Sequence, residues 1–261
     1  MDVTITINGK LVKAKKGEML LSVIRREGID VPALCDHPAI EPSGNCRLCT
    51  VEFTKDGWDG WKKYVTSCLY PVEEGMIVST HSQKCIEIGK TILDLQLANS
   101  PHSEVIQKLA AEHGIENSSY EIDPEGDNCI MCYACTRICE VLGKNAIMPT
   151  QRGHEKVISP PLGLDKEPPD CIGCLSCAQI CPTDFIEWTD KNGKRTIWNK
   201  TFDLIKCVKC GKEMITYDFA SYLIKERNLP ANYFEVCDDC KRIETAEKMG
   251  MLVDRAKEVS L

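Results

Sequence analysis

The chain has 261 residues, a formal charge of −7, and 43% hydrophobic but only 6% aromatic residues; it is long enough for two or three modest domains, with little aromatic bulk to fill them. No stretch approaches the ~18 consecutive apolar residues of a membrane span, and the opening residues lack the apolar core of a signal peptide. A cytoplasmic, acidic protein is expected, one that disfavours nucleic-acid phosphate and suits a positively charged patch on a protein partner.

Residues 2–7 alternate β-branched and polar side chains, Asn8-Gly9 is a two-residue hairpin signal, and 11–15 read as the returning strand. A helix is expected over 17–26, with Leu20, Leu21 and Ile24 on one face. Further strands at 51–53 and 64–66 flank a loop that carries Trp58 and Trp61, whose roles divide between packing on the sheet and docking a partner. Strand, turn, strand, helix and a cysteine-bearing loop form the opening of a β-grasp ferredoxin. From 82 to 98 the spacing of Cys85, Ile88, Ile92 and Leu95 is helical, and Cys85 is expected to pack in a core. Ser100-Pro101 reads as the start of a second helix, which carries Val105, Ile106 and Leu109 and stops at Gly114. A polar stretch at 117–128 marks a boundary. Past a dense cysteine region at 129–181, Lys191-Asn192-Gly193-Lys194 signals a hairpin, 218–227 a helix, and a charged helix starts near Lys241.

The chain holds 17 cysteines, of which fourteen fall in CxxC pairs or CxxCxxCxxxC runs. Disulfides need an oxidising compartment, and such tight spacing gathers thiolates around metal centres instead. If sixteen cysteines ligate as thiolates, the loaded protein carries a charge of about −15. The strongest signal is Cys129-x2-Cys132-x2-Cys135-x3-Cys139, repeated as Cys171-x2-Cys174-x2-Cys177-x3-Cys181-Pro182. A tight CxxCxxC loop supplies three corners of a [4Fe–4S] cube, and in two-cluster ferredoxins the fourth cysteine of each run serves the other cube. Cys129, Cys132, Cys135 and Cys181 are thus expected on one cube, and Cys171, Cys174, Cys177 and Cys139 on the second; a pair of zinc sites is the alternative. Cys35, Cys46, Cys49 and Cys68 form a third set, read as [2Fe–2S] although the ten residues between the first two depart from plant-type spacing. Gly44-Asn45 would let the backbone turn close to that cluster, and zinc is again the alternative. Cys207, Cys210, Cys237 and Cys240 form two CxxC knuckles, with Gly211 after the first. They are read as one structural zinc, with a further [4Fe–4S] cluster as the alternative.

The motifs VPALCDHP, GNCRLCTVE, SCLYPVEEGM, CIMCYACTRICEVLGKNAI, the Arg152-Gly153 pair and CIGCLSCAQICPT, between Val3 and Pro182, resemble the diaphorase-type iron–sulfur subunit of soluble NAD-linked hydrogenases. The same modules open the large iron–sulfur subunit of complex I and many [FeFe]-hydrogenases. That family usually carries a His plus three-Cys cluster motif after the first long helix. Here the place reads LANSPHSEVIQKLAAEHGI, with no cysteine before Cys129, so that cluster is expected to be absent and His102 and His113 to be ordinary helix residues. From the length of the chain, an [FeFe]-hydrogenase active-site domain is not expected.

The fold class expected is α+β in four parts: a β-grasp [2Fe–2S] domain at 1–80, a helical connector at 81–120, a two-[4Fe–4S] ferredoxin-like domain at 121–199, and a zinc-ribbon-like module with a C-terminal helix at 200–261. No nucleotide-binding glycine motif is present. The resemblance implies an electron-transfer subunit without a catalytic site of its own, working between a flavin- and NAD(P)-binding subunit and a terminal redox enzyme, foremost the small and large subunits of a NiFe hydrogenase. A free multi-cluster ferredoxin and the iron–sulfur subunit of a formate dehydrogenase or succinate/fumarate-type enzyme are the alternatives. A further alternative makes the C-terminal ribbon a docking element alone, removable with the three clusters intact.

Overall fold

A computed structural model describes residues 1–261 apart from Asp123, Glu125, Leu162, Ser260 and Leu261, and, as regards side chains, apart from His154 and 251–259. The boundary expected at 117–128 thus includes two residues outside the described set. The chain forms two compact units, 1–158 with 176–186, and 159–175 with 187–261.

In the first unit β1 (Asp2–Ile7), β2 (Lys10–Lys15), β3 (Thr50–Lys55), β4 (Lys63–Thr66) and β5 (Met76–Ser79) form one sheet in the order β2-β1-β5-β3-β4. β1 pairs antiparallel with β2 and parallel with β5. Asn8 and Gly9 are both left-handed, at φ 49° and 84°, which matches the twist of a two-residue hairpin to its strands. Alternation turns Val3, Ile5 and Ile7 inward onto Leu20, Leu21, Val23 and Ile24 of α1 (Leu20–Arg26), with Phe53 and Met76 completing the core. Each such aliphatic side chain contributes about 1.5–3 kcal/mol on burial. α1 starts three residues later than its spacing predicts, because Gly17 is left-handed at φ 86° and Met19 is extended.

α2 (Gln83–Asn99) and α3 (Glu104–Glu112) begin at serine caps: the Ser82 hydroxyl accepts from the Cys85 N–H, and Ser103 from Ile106. The second helix therefore does not start at Pro101. Ser100 closes α2, its N–H donating to the Gln96 carbonyl, and Pro101 and His102 form the intervening turn. Ser103 followed by acidic Glu104 is the better cap, since both its hydroxyl and the charge satisfy the helix start. The buried stripe of α2 is Cys85, Leu93 and Leu97; Leu95 is exposed. Leu93, Leu97, Ile106 and Ala110 pack with Cys35, Cys46, Ile130 and Cys132 in a second apolar cluster. α4 (Ala134–Val141) packs against α5 (Ser176–Gln179), and β6 (Met148–Thr150) pairs with β7 (Val157–Ser159).

The second unit is built on an antiparallel sheet, β11-β10-β9-β8, of β8 (Trp188–Lys191), β9 (Lys194–Ile197), β10 (Lys200–Lys206) and β11 (Glu213–Thr216). Asn192-Gly193 makes the expected hairpin, and Trp198-Asn199, both left-handed, makes a second. α6 (Tyr217–Arg227) and α7 (Asp238–Val259) follow. Among the described residues no helix is long and apolar enough to cross a membrane.

Candidate metal centres

Cys35, Cys46, Cys49 and Cys68 are all buried. Cys35 and Cys46 lie on the loop between α1 and β3, Cys49 stands at the foot of β3, and Cys68 sits in a 3-10 turn after β4. The β3–β4 register sets Thr50 opposite Thr66, and the Ser67 N–H and hydroxyl both donate to the Cys49 carbonyl, at 3.0 and 2.8 Å. Those bonds hold Cys49 beside Cys68. Gly44 is left-handed at φ 64°, a conformation that favours glycine, and a Cβ there would stand 2.5 Å from Leu69 Cδ1, so a larger residue would strain the turn and displace that side chain. Hydrogen bonds from the Cys46 and Cys68 thiols hold Cys35 far below the ordinary thiol range, and one from Cys68 lowers Cys49 to about 7. Cys46 and Cys68 are pushed up, each first by its bond to Cys35. Four buried sulfurs that already share negative charge are a donor set that fits an iron–sulfur cluster.

In the first run Cys129, Cys132 and Cys135 are buried. Met131 and Tyr133 are left-handed at φ 50° and 57°, a conformation that costs a non-glycine residue roughly 1–2 kcal/mol. The Met131 N–H donates to the Cys129 sulfur, and that of Ala134 to the Cys132 sulfur. Burial pushes Cys129 up to about 12 and raises Cys132 and Cys135, and the Cys181 charge lifts all three further. Burial of this kind holds the thiols neutral, and a bound cation would draw them to the thiolate form. The second run repeats the geometry, with Gly173 and Leu175 left-handed at φ 65° and 64° where the first has Met131 and Tyr133. Cys171 and Cys174 belong to the second unit, whereas Cys139, Cys177 and Cys181 belong to the first. The Ala146 N–H donates to Cys139 Sγ at 3.3 Å.

One side chain joins the first two sets. The Arg137 guanidinium, on α4, donates to the carbonyls of Glu41 at 2.5 Å, Cys35 at 2.8 Å, and Cys132 and Tyr133 at 3.3 Å. The Asn45 amide also donates to the Cys132 carbonyl, at 3.1 Å. Neither role was visible in the sequence; the one hint is a cation set inside a cysteine run.

At the C-terminal set, the Sγ atoms of Cys207, Cys210, Cys237 and Cys240 lie within 4.8 Å of one another, with Cys210 and Cys237 3.6 Å apart. Tetrahedral zinc, with Zn–S near 2.3 Å, spaces its sulfurs about 3.8 Å apart. A cube, with iron at four corners between its thiolates, needs a wider nest. The set fits one ion. Backbone N–H groups, Cys237 first and then Cys210 and Lys209, lower Cys207 to about 6, while its bond to Cys237 pushes Cys240 up to about 12. The knuckles are tied by the Val208 N–H to the Glu235 carbonyl at 2.9 Å and by Lys212–Asp239 and Lys209–Glu244 ion pairs. α6 fills the long interval between them.

Cys85 is buried, and burial raises its thiol. His102 lies in a turn, its Nε2 3.3 Å from the Pro124 carbonyl, and His113 caps α3 with Nδ1 2.8 Å from the Leu109 carbonyl. Both sit outside the one such ligand group found among the described residues. Trp58 packs on Phe53 at 5.0 Å while Trp61, tilted against it at 4.9 Å, stays exposed, and Lys63 Nζ lies over both rings.

Residues 1–83 match the family described as a 2Fe-2S iron-sulfur cluster binding domain, and 170–212 match a 4Fe-4S dicluster domain. The second match covers the second cysteine run and reaches Cys207 and Cys210. The α subunit of an NADPH-Fe(3+) oxidoreductase from Geobacter sulfurreducens is 29% identical over 180 residues, 60% of this chain and 21% of that protein. Subunit HndD of an NADP-reducing hydrogenase from Solidesulfovibrio fructosivorans is 28% identical over 186 residues, 60% of this chain and 31% of that protein. A subunit of the NADH-quinone oxidoreductase of Streptomyces coelicolor is 28% identical over 178 residues, 58% of this chain and 20% of that protein. The chain thus spans between a fifth and a third of the length of these relatives. A chain from the crystal structure of an NAD+-reducing [NiFe]-hydrogenase in the H2-reduced state superposes with a TM-score of 0.59 at 24% identity, covering 70% of this chain and 85% of that one; this likeness is one of fold. The chain is an α+β iron–sulfur protein with a [2Fe–2S] domain and a [4Fe–4S] dicluster match, related to subunits of NAD(P)-linked oxidoreductases and hydrogenases.

Proposed function

We propose that this chain relays single electrons between a flavin- and NAD(P)-binding subunit and a terminal redox enzyme, foremost the small and large subunits of a NiFe hydrogenase, within a cytoplasmic complex. Cys35, Cys46, Cys49 and Cys68 would hold a [2Fe–2S] cluster. Cys129, Cys132, Cys135 and Cys181 would hold one [4Fe–4S] cluster, and Cys171, Cys174, Cys177 and Cys139 the other. Such clusters exchange one electron at a time, whereas a nicotinamide gives two as hydride, so a flavin must divide the pair.

The observation that carries the reading is the Arg137 junction. A relay needs neighbouring redox sites at a fixed separation, and one guanidinium grips the carbonyls of Cys35 and Cys132, a residue from each of the first two sets. The surrounding apolar cluster, with Leu93, Leu97 and Ile106, keeps water from these thiolates. The names of the relatives support a nicotinamide at one end and, for one of them, a hydrogenase at the other. Cys207, Cys210, Cys237 and Cys240 would hold one structural zinc, as their close sulfur spacing supports. The division at 1–80, 81–120, 121–199 and 200–261 remains the proposed functional one, with the [2Fe–2S] set in the first part, both [4Fe–4S] sets in the third and the zinc set in the fourth.

Metal and sulfide analysis of anaerobically purified protein, with EPR of the reduced form, tests this reading. About ten iron and one zinc per chain are expected. About fourteen iron without zinc would make the C-terminal set a redox centre, and fewer than ten would remove a cluster from the relay.

A further inference from the structure

We propose that the β8–β11 sheet is the seat of the second cluster loop, and that the Cys207, Cys210, Cys237 and Cys240 site fastens that seat. The proposal rests on the reading of Cys171 and Cys174 as cluster ligands. Three consecutive carbonyls of that loop are each held by a side chain from a different strand. Lys200 Nζ, on β10, lies 2.9 Å from the Cys171 carbonyl and also reaches those of Pro168 and Pro169, at 3.3 and 3.0 Å. The Thr216 hydroxyl, at the end of β11, donates to the Ile172 carbonyl at 2.5 Å while accepting from the Phe219 N–H at 3.1 Å. Arg195 Nη1, on β9, donates to the Gly173 carbonyl at 3.0 Å.

The grip is specific and built in. Arg195 is 6% exposed, and its guanidinium is fixed by the two Asp190 oxygens at 2.9 and 2.8 Å. A Cβ at Gly173 would stand 2.8 Å from both the Phe202 ring and Thr216 Cγ2, so the loop lies directly on the sheet. Two of the three gripping groups are cations, and positive charge beside a cluster favours its reduced form.

The metal site closes the other end of the same hairpin. β10 runs from Lys200 into Cys207, and β11 starts at Glu213 shortly after Cys210 and ends at Thr216. The pairing is irregular between Leu204 and Lys206, so the hairpin depends on its closed end for register. Loss of the metal therefore reaches Thr216, which pairs with Leu204, and through it the loop; Lys200 itself is paired with Ile197 of β9. This departs from a ribbon that serves docking alone: residues 200–261 contain two of the three grips.

The test uses the full chain, anaerobically reconstituted, with Lys200→Met, Thr216→Val, Thr216→Ser and Cys210→Ser variants. Iron and zinc are counted, and each EPR signal is followed in a potentiometric titration. Lys200→Met is expected to shift one [4Fe–4S] signal to lower potential by about tenfold in its equilibrium, ~59 mV, leaving the [2Fe–2S] signal unmoved. Thr216→Val should lose about four iron per chain, and Thr216→Ser, which keeps the hydroxyl, should restore them. Cys210→Ser should lose its zinc and then the same four iron. Ten iron and unchanged potentials in Lys200→Met and Thr216→Val, or loss of zinc alone in Cys210→Ser, would overturn the proposal. An unaltered chain with only about six iron would instead remove the second cluster itself, and both readings with it.

Discussion

Arg137 makes no bond to a sulfur, yet it occupies the junction on which the proposed relay depends. Its four bonds all go to carbonyls, two of them belonging to cysteines of different sets, and its charge favours the Cys132 thiolate. Arg137→Met should destabilise the first unit by about 3 kcal/mol, the scale of charged hydrogen bonds lost from a part-buried site, and should lower the potential of the adjacent centres. Arg137→Lys keeps the charge but loses the planar fork. It should therefore retain the potential while still losing stability. Denaturant melts beside EPR titrations separate the two effects, and equal behaviour of Lys and Met variants would refute the electrostatic part. The sequence did not disclose this residue because its partners lie up to 102 positions away. The cysteine runs stand out because the spacing proposed for metal ligation is local, two or three residues at a time.

At the scale of elements, the same contrast explains what the sequence revealed of the fold. Asn8-Gly9 and Asn192-Gly193 announce hairpins because their strands are neighbours in the chain. β5 leaves little mark in the sequence because it is four residues long and pairs with β1 about seventy positions upstream; its place in the sheet is decided by tertiary packing. α2 and α3 were legible as helices, but Ser100 and Ser103 both look like caps, and only packing selects the second. Leu93 of α2 is fully buried among the residues that wall the cluster loops, so Leu93→Ala should cost about 2–5 kcal/mol. In a thermal melt followed by visible absorbance, bleaching and unfolding should both move to lower temperature. A variant that melts early while bleaching as before would show that the wall does not protect the clusters.

Glu52, on β3, makes an element-level prediction about pH. Its carboxylate is buried, and hydrogen bonds from Lys62 hold it below the ordinary carboxylate value against the opposing effect of burial, helped by Ser82 and Tyr64. Because the folded state prefers the charged form, this contribution is complete above the ordinary value near 4.5 and is lost as pH falls through the lower folded value. Glu52→Gln should thus melt below the parent at neutral pH, and the two curves should converge as the solution is acidified below 4.5. A gap that stays constant through that window would sink the argument.

For the whole molecule, charge is the property that reaches beyond the surface. A formal −7, deepened by thiolate ligation, predicts opposite salt responses toward oxidants of opposite charge. Reoxidation of the reduced protein by hexaammineruthenium(III) should slow as ionic strength rises, and by ferricyanide should quicken. Stopped-flow traces at several salt concentrations read this directly; parallel responses would place the electron exit in a patch whose charge differs from the whole.

The close seating of Gly173 on Phe202 and Thr216 also constrains descent. No side chain can enter at position 173 while Phe202 and Thr216 fill the space beside it, so that site cannot enlarge alone. Relatives that carry alanine or a larger residue at 173 should carry smaller ones at 202 and 216, whereas position 131, its counterpart in the first run, is a methionine here. The two cysteine runs would then bear different mutational histories for a reason found in a neighbouring sheet rather than in either run.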